Sequence, residues 1–268
     1  MTERGPLVVI RGAGDLASGV AHRLHRAGFA ILMTEVPQPR ALRLPVCFAR
    51  AVYEGSATIE GVCGNLAADL AQAERILAQG HVPVLVDPEA RQALSLRPIA
   101  LVDAILAKRN LGTRLGDAPL VIALGPGYTA GADAHVVVET MRGHDLGRLI
   151  TSGSAQANTG MPGPVLGYAS ERVLRSPAAG PLQSRRRIGE RVQAGDAVAT
   201  VAGEPVLATI GGVLRGLMHD GLAVSPREKI GDIDPRGVAD YCFTISDKAR
   251  ALGGSVLEAI LHAGIRPF

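Results

Sequence analysis

The sequence predicts an α/β fold in which a Rossmann-like, mostly parallel sheet is followed by a small C-terminal β-barrel or sandwich and a terminal helix. Apolar runs alternate with helical periodicity over the first 150 residues, a Gly- and Ser-rich linker or functional loop follows at residues 151–167, and short β-like runs between glycines come next. Alternation of strands and helices is typical of a parallel sheet covered by helices. The predicted domains are residues 1–165, 170–240 and 241–268, and we expect the last segment to pack on the first domain.

The first 35 residues predict a βαβ unit. Residues 7–10 are a short β-branched run, residues 15–27 repeat apolar side chains every three or four positions, and residues 30–33 are a second apolar run. Gly28 is expected to cap the helix at its C-terminus. Strand, helix and strand within this length indicate two parallel neighbouring strands.

The same alternation continues to residue 139. A helix is predicted over residues 67–79, ending at Gly80, and strands are predicted over residues 82–86, 120–124 and 135–139. Residues 99–108 fit either a strand or a helix, because a short apolar run does not distinguish the two.

The second half of the chain predicts β structure with an internal repeat. Its short apolar runs are residues 172–174, 197–201, 205–210, 212–217 and 229–233, and helical periodicity returns only at residues 248–261. A shift of 32 positions superposes Gly180 on Gly212, Leu182 on Leu214 and Val198 on Ile230. Two similar all-β halves indicate a quasi-symmetric barrel or sandwich.

Composition and charge exclude several classes of protein. Aromatic residues make up 3% of the chain and the net charge is only +3, which argues against nucleic-acid binding. Three cysteines far apart in sequence fit a cytoplasmic protein without disulfides, and no spacing of His or Cys indicates a metal site. No apolar stretch reaches the length of a membrane helix, so we expect no membrane association.

A glycine-rich turn after the first strand predicts a nucleotide-phosphate site. Gly12 permits the tight turn, Gly14 lets a phosphate approach the backbone, and Gly19 completes the glycine pattern. Glu35 lies about 20 residues further on, where such folds place a ribose-binding acid. Asp15 is expected either to cap the helix or to lower the affinity for an ordinary dinucleotide. The predicted cofactor-binding residues here are Gly12, Ala13, Gly14, Asp15, Leu16 and Glu35.

A second group of candidates follows the strand at residues 120–124. Gly125, Gly127 and Tyr128 lie where open α/β sheets bind ligands, although a tight structural loop explains them equally well. Arg142 and His144 lie on a later glycine-flanked turn and are candidates for binding an anionic ligand. No residue is predicted to be catalytic, and Ser246 with Asp247 is interpreted as a helix N-cap.

Several motifs together resemble one family. They are RGAGDLASG at residues 11–19, AVYEG at 51–55, GPGYTAG at 125–131, ETMRGHDLGR at 139–148 and TISDK at 244–248. These motifs resemble the YqeB-type accessory proteins of selenium-dependent molybdenum hydroxylase systems. The resemblance implies maturation or activation of a molybdenum hydroxylase of the xanthine dehydrogenase type. It also implies that the partner is that enzyme or its cofactor-assembly proteins; a homo-oligomer stays an open alternative.

The second half also resembles a known fold. The motifs PAAGPL at residues 177–182, IGERVQAGDAVA at 188–199 and GGVL at 211–214 are similar to the biotinyl/lipoyl-type barrel-sandwich hybrid. In that family a carrier lysine lies in the hairpin between the two halves. Residues 202–206 occupy this place here and contain no lysine, so no swinging-arm chemistry is expected.

The sequence is compatible with three functions. The first is an accessory protein that binds a nucleotide or dinucleotide, either NAD(P) or a molybdopterin dinucleotide. The second is an NAD(P)-dependent oxidoreductase of a small substrate, for which His144, Tyr128 and Lys248 are the available proton donors. The third is a non-catalytic scaffold whose barrel contacts partners.

Overall fold

A computed structural model describes residues 5–160 and 163–267, which form two compact units. Unit 1 contains residues 5–39, 47–159 and 245–267. Unit 2 contains the remaining described residues, 40–46, 160 and 163–244. The units differ from the predicted domains because residues 40–46 belong to unit 2. Contacts between residues distant in sequence place them there, and local sequence patterns do not show such contacts.

Unit 1 is built on a nine-stranded sheet and a two-stranded sheet. Its strands are β1 (Leu7–Arg11), β2 (Ala30–Glu35), β3 (Ser56–Ile59), β4 (Val62–Ala67), β5 (Val82–Val86), β6 (Ala100–Asp103), β7 (Leu120–Leu124), β8 (Thr129–Ala130), β9 (Val136–Val138), β10 (Leu149–Ile150) and β11 (Gly153–Ser154). The order in the large sheet is β10-β9-β7-β6-β1-β2-β5-β4-β3. Only its edge pairs, β3 with β4 and β9 with β10, are antiparallel. The predicted α/β class with a mostly parallel sheet is therefore confirmed.

The helices of unit 1 lie between and after these strands. They are α1 (Asp15–Arg26), α2 (Ala51–Glu54), α3 (Leu70–Ala78), α4 (Arg91–Leu94) and α5 (Asp247–His262). Short 3-10 turns lie in unit 1 at Phe48–Arg50 and Leu115–Asp117, and in unit 2 at Leu44–Val46 and Ala239–Cys242. None of the helices in the described ranges has the length and apolar character needed to cross a membrane.

Local patterns correctly predict the central strands, because those strands are buried on both faces. All five residues of β1 and of β7 are buried, as expected for the middle of a parallel sheet. Residues 99–108 contain the strand β6, and the helical alternative for them is wrong.

The prediction is wrong at the start of α3. Residue 67 ends β4, and the helix begins only after Asp69, whose carboxylate accepts the Gln72 N–H at 2.7 Å. The β3–β4 hairpin was not predicted, because β4 contains the polar and small residues CGN between its apolar ends.

Unit 2 consists of two antiparallel four-stranded sheets. Its strands are β12 (Val173–Arg175), β13 (Gly180–Ser184), β14 (Arg191–Val192), β15 (Ala197–Val201), β16 (Glu204–Leu207), β17 (Gly212–Leu217), β18 (Ala223–Val224) and β19 (Lys229–Asp234). The sheet orders are β12-β19-β17-β14 and β16-β15-β13-β18. Repeat-related residues share one core: Leu182 and Leu214 are fully buried in it, as are Val198 and Ile230. The sequence repeat thus corresponds to a repeated pattern of core positions.

Helix α5 returns to unit 1 and packs against α1. A Cβ on Gly19 of α1 would lie 2.6 Å from the Ala249 Cβ of α5, and a Cβ on Gly253 would lie 2.9 Å from the carbonyl oxygen of Gly19. Contacts this short exclude a side chain at either glycine. The two helices therefore approach each other closely along a seam of small residues, namely Gly19, Ala249 and Gly253. This packing sets the position of α5 relative to α1.

Candidate functional site

The candidate site lies at the edge of the sheet where the parallel strands of unit 1 end. The β1–α1 turn lies in the middle of this edge, between the ends of β2 and β6, which pair with β1 on either side. Ligands of open α/β sheets bind at this edge. The predicted candidates are therefore brought to one edge, but their individual environments differ.

Gly12 is required by the backbone of the turn. Its φ is +98°, in the region that favours glycine, and a Cβ there would lie 3.1 Å from the carbonyl oxygen of Ala104 in the loop after β6. The glycine at position 12 is thus explained by the turn and by the close approach of the neighbouring loop.

At Gly14, neither the backbone conformation nor a close neighbouring segment requires a glycine. Its φ is −67° with ψ −177°, which any residue adopts, and apart from the adjoining residues no atom of the described chain lies within 4 Å of the position its Cβ would take. Gly14 is also the N-cap of α1, which has no side-chain cap. The N–H groups of the first turn, from Asp15 and Leu16 onward, have no i−4 carbonyl to bind within the helix. Open space beside such an N-terminus suits a phosphate.

Asp15 and Gly19 differ from their predicted roles. Asp15 is the first helical residue, and Gly14 is the cap, so the prediction that Asp15 caps the helix is wrong. Gly19 faces Ala249 of α5 and belongs to helix packing. The third glycine of the pattern therefore has a structural cause that the spacing of the motif does not reveal.

Glu35 lies at the end of β2 and binds the glycine turn itself. One carboxylate oxygen accepts the Ala13 N–H at 2.9 Å, and the other accepts the Val36 N–H at 2.8 Å. Burial raises the pKa of Glu35 above its ordinary value, and the two N–H donors oppose this rise. Glu35 and Ala13 thus fix the shape of the turn, and each carboxylate oxygen keeps a lone pair for another donor.

The GPGY loop is packed by the protein itself. Gly125 has a φ of +80°, and a Cβ there would lie 2.6 Å from the Thr140 hydroxyl. Gly127 has a φ of +103°, and a Cβ there would lie 2.5 Å from the backbone nitrogen of Arg109. Tyr128 is 1% exposed. These three candidates face neighbouring segments of unit 1, as a tight structural loop requires.

A buried ion pair holds the loops at this edge, and sequence reasoning missed it. Arg11 ends β1 and Asp103 ends β6, and their nearest charged atoms, Nη1 and Oδ2, are 3.5 Å apart. Thr113 donates its hydroxyl to the same Asp103 oxygen at 2.5 Å and accepts from Arg11 at 3.0 Å. Burial raises the pKa of Tyr128, and the charge of the nearby Asp103 carboxylate raises it further. The only sequence signal was two charged residues, each directly after an apolar run.

At the predicted anion site of Arg142 and His144, the arginine is already paired with an acid. Arg142 binds Asp247 in a two-pronged pair, with distances of 2.7 and 2.9 Å. His144 lies on the exposed turn that follows. The charge of Arg142 is therefore balanced by an acid at the start of α5.

Lys248 lies within electrostatic range of Asp15, the first residue of α1. It is half-buried in the first turn of α5, after Ser246, which caps the helix as predicted by accepting the Ala249 N–H. Burial lowers the pKa of Lys248, Arg142 lowers it further, and three acids oppose this effect: Asp15, Glu139 and Asp247. Sequence reasoning considered Lys248 only as a proton donor for the oxidoreductase alternative.

Metal ligands do not gather at this site. Within the described ranges there is no group of three or more His, Cys, Asp or Glu residues that could hold a metal ion. The residues that could hold a cofactor are those of the β1–α1 turn and Glu35, and their chemistry suits a phosphate and a hydroxyl group.

Comparison with known proteins gives one strong similarity. No protein-family model matches the chain. A protein of Escherichia coli strain K12, whose name is "Uncharacterized protein YqeB", is 52% identical over 263 residues, which is 97% of this chain. The chain spans only 49% of that relative's length.

Solved structures give weak similarities. An aspartoacylase family protein from Mesorhizobium loti is 12% identical, with 85% of each chain covered and a TM-score of 0.26. A succinylglutamate desuccinylase/aspartoacylase from Rhodobacter sphaeroides is 14% identical, with 85% of each chain covered and a TM-score of 0.28. TM-scores this low establish no common fold, so nothing about this chain follows from them. The similarity to the Escherichia coli protein extends over nearly the whole of this chain.

Proposed function

We propose that this chain binds a nucleotide or dinucleotide at the β1–α1 turn of unit 1, as an accessory protein in the maturation of a molybdenum hydroxylase of the xanthine dehydrogenase type. The open space beside Gly14 is the observation that carries the binding site. The glycine there is needed neither for the backbone nor for packing. A ligand phosphate that approaches the backbone supplies the missing reason. The role in molybdenum enzyme maturation is supported by the motif resemblance described above.

Two features support the binding of a nucleotide, one for its phosphate and one for its ribose. The uncapped first turn of α1 offers N–H groups and the positive end of the helix dipole to a phosphate. Glu35 holds the turn with one hydrogen bond to each oxygen, which leaves acceptor capacity for a ribose hydroxyl. Both NAD(P) and a molybdopterin dinucleotide contain a phosphate and a ribose hydroxyl, so we propose either of them as the ligand.

The oxidoreductase alternative has less support. It needs a proton donor at the site, and two of its three candidates are poorly placed. Tyr128 is buried and its pKa is raised further from neutrality, while His144 lies on an exposed turn. Lys248 is the one candidate within electrostatic range of the start of α1, where Asp15, Glu139 and Asp247 favour its protonated form.

Unit 2 is proposed to have a role in partner contacts. We propose that its two four-stranded sheets form a barrel-sandwich hybrid without a carrier lysine, and that it contacts the molybdenum hydroxylase or its cofactor-assembly proteins in the cytoplasm. The shared core of the repeat-related positions supports the two-fold arrangement. Residues 202–206, which comprise the turn between β15 and β16 and the first residues of β16, contain no lysine that a swinging arm would need.

Gly14→Val tests the binding site. We expect the wild-type protein to bind ADP or NAD⁺ in calorimetric titrations, and the variant to bind at least about tenfold more weakly because the added side chain fills the space of the phosphate. Gly116→Val is a matched control, since Gly116 is an exposed glycine and, apart from the adjoining residues, no atom of the described chain lies within 4 Å of its Cβ position. Mass spectrometry of small molecules that co-purify with the protein would identify the natural ligand.

Two results would contradict the proposal. Equal affinity of wild-type and Gly14→Val protein would show that the turn is not the site. Full activity of the molybdenum hydroxylase in cells that lack this protein would contradict the maturation role and leave the binding site standing.

A further inference from the structure

An arginine-rich turn of unit 2 leads from β13 into β14. This arginine turn is residues 185–191 and has the sequence RRRIGER. Arg185, Arg187 and Arg191 are exposed, and none of these three side chains forms a hydrogen bond or an ion pair with a residue that the structure describes. Arg186 is also exposed, and it pairs with two carboxylates only at 3.8 and 4.0 Å. Exposed ion pairs of this kind contribute little to stability, so the arginines are available to a partner.

The internal repeat shows that the fold does not need arginines at this turn. Arg191 of β14 pairs with Val213 of β17. Ala223, 32 positions after Arg191, pairs with Pro181, 32 positions before Val213, so the two turns occupy equivalent places. The equivalent turn, residues 217–223, has the sequence LMHDGLA and closes without a single arginine. Folding of unit 2 therefore does not explain the arginines of the first turn.

The equivalent turn is in contact with another segment of the chain. Leu217 and Met218 are buried, and the Leu217 N–H donates to the carbonyl oxygen of Leu42 at 2.9 Å. Leu42 belongs to residues 40–46, the early segment that is part of unit 2. A Cβ on Gly216 would lie 3.2 Å from the Leu42 Cβ, so this segment lies directly against β17. The second half of the repeat thus carries a polypeptide segment where the first half is exposed.

An exposed aromatic side chain lies beside the arginine turn. Phe243 is 50% exposed, and its ring lies 2.8 Å from the position that a Cβ on Gly189 would take. Tyr241 is also exposed, and the guanidinium of Arg236 lies 4.6 Å from the centre of its ring. The chain has only four Phe, four Tyr and no Trp, so two exposed aromatics this close together are unusual for it. Arginine and aromatic side chains are the types enriched in protein–protein interfaces.

We infer that the arginine turn, with Phe243 beside it, binds an acidic segment of a partner protein. The inference rests on the partner role proposed for unit 2, to which it adds the surface and the chemistry of the contact. The carboxylates of the partner pair with the three unpaired arginines, and an apolar side chain of the partner covers Phe243. The backbone N–H groups of Arg185 and Arg186 both donate to the carbonyl oxygen of Val198, at 2.9 and 3.1 Å. The turn is therefore fixed before binding, and its side chains make the contact.

A polypeptide suits this surface better than a nucleic acid or a membrane does. The equivalent end of the repeat already holds a polypeptide segment, residues 40–46. Nucleic acids need an extended positive surface, and the net charge of the whole chain is only +3. The positive charge of the arginine turn is local, and it matches a few carboxylates on one segment.

The experiment is a fluorescence anisotropy titration of the whole chain against a short fluorescein-labelled peptide that alternates glutamate and leucine. We expect wild type to bind, with an affinity that falls as salt is added, because the paired charges are exposed. Arg185→Glu/Arg187→Glu should bind at least about tenfold more weakly. Arg26→Glu/Arg75→Glu is the matched control, since it makes the same change of charge at exposed arginines of α1 and α3, and it should bind like wild type.

Two further measurements separate the parts of the contact. Phe243→Ala should bind the peptide about fivefold more weakly, as the loss of an apolar anchor requires. A peptide that alternates glutamine and leucine should not bind, and equal binding of the two peptides would overturn the inference. Arg185→Glu/Arg187→Glu should melt at the temperature of wild type, because the two side chains contribute no bond to the fold. A clear fall in its melting temperature would make these arginines structural and would also overturn the inference.

Other occupants and the proposed function are tested in the same way. An oligothymidine or a phosphatidylglycerol vesicle that binds wild type more tightly than the peptide, and loses binding in Arg185→Glu/Arg187→Glu, would overturn the protein-partner inference. If the peptide does not bind wild type while Gly14→Val weakens ADP binding, the inference fails and the nucleotide site stands. If the peptide binds as expected but the molybdenum hydroxylase is fully active in cells without this protein, the maturation role fails and the acidic-segment surface stands.

Discussion

Asp103→Ala is expected to destabilise unit 1 by about 3–5 kcal/mol, because it leaves a buried charge without its counter-charge. Arg11 is 6% exposed and Asp103 is fully buried. Arg11 also donates to the carbonyl oxygens of Pro88 and Leu111, each at 3.0 Å, so the guanidinium is held inside the edge of the sheet. Removing the carboxylate takes the proton acceptor from Thr113 as well. Thermal unfolding followed by calorimetry should show a fall of roughly 6–20 °C in the unit 1 transition.

Two further variants separate charge from volume at Asp103. Asp103→Asn keeps the size of the side chain and removes the charge, so we expect most of the same loss. The double variant Arg11→Met/Asp103→Leu removes both charges and should recover part of the stability, since a buried ion pair is often replaced by apolar residues at little cost. A double variant less stable than Asp103→Ala alone would mean that the hydrogen bonds of Arg11, and not its charge, dominate.

Gly19→Ala is expected to destabilise unit 1 by about 1–3 kcal/mol through overpacking between α1 and α5. The added methyl group would meet the Ala249 Cβ at 2.6 Å and the Ala249 carbonyl oxygen at 2.9 Å. Backbone atoms on the facing helix cannot turn aside as a flexible side chain does, so α5 must shift. Denaturant unfolding of the variant measures the loss.

The matched control lies on α5 itself. Gly254 is also helical, but outside its own helix no atom of the described chain lies within 4 Å of its Cβ position. Gly254→Ala should therefore raise stability, by up to about 1 kcal/mol, through the helix propensity of alanine. Opposite signs for the same substitution on two helices would establish the close seam. A stabilising effect of Gly19→Ala would show that the two helices are further apart than this structure has them.

The fold was largely predictable because its main signals are local. The buried strands β1, β5 and β7 are continuous apolar runs, and α1 and α5 show the helical period. The glycine turn after β1 was likewise predictable, since the φ of +98° at Gly12 is a local demand of the chain. The 32-residue repeat indicated equivalent core positions, and Leu182 and Leu214 indeed share one core.

Partners distant in sequence could not be predicted. Arg142 looked like an anion-binding residue, but it pairs with an acid 105 positions away. Gly19 looked like part of a phosphate motif, but it is a glycine because Ala249 lies against it. Arg11 and Asp103 end two neighbouring strands, and that neighbourhood is a property of the strand order.

The sequence by itself determined the α/β class, the central strands, the turn at Gly12 and the repeated β pattern of the second half, because each depends on residues close along the chain. Only the tertiary structure decided which glycine of the motif is free of packing demands, which charges are already paired, and that Lys248 lies within electrostatic range of Asp15. Those properties depend on how α5 packs and on the order of the strands. Local periodicity carries no information about either.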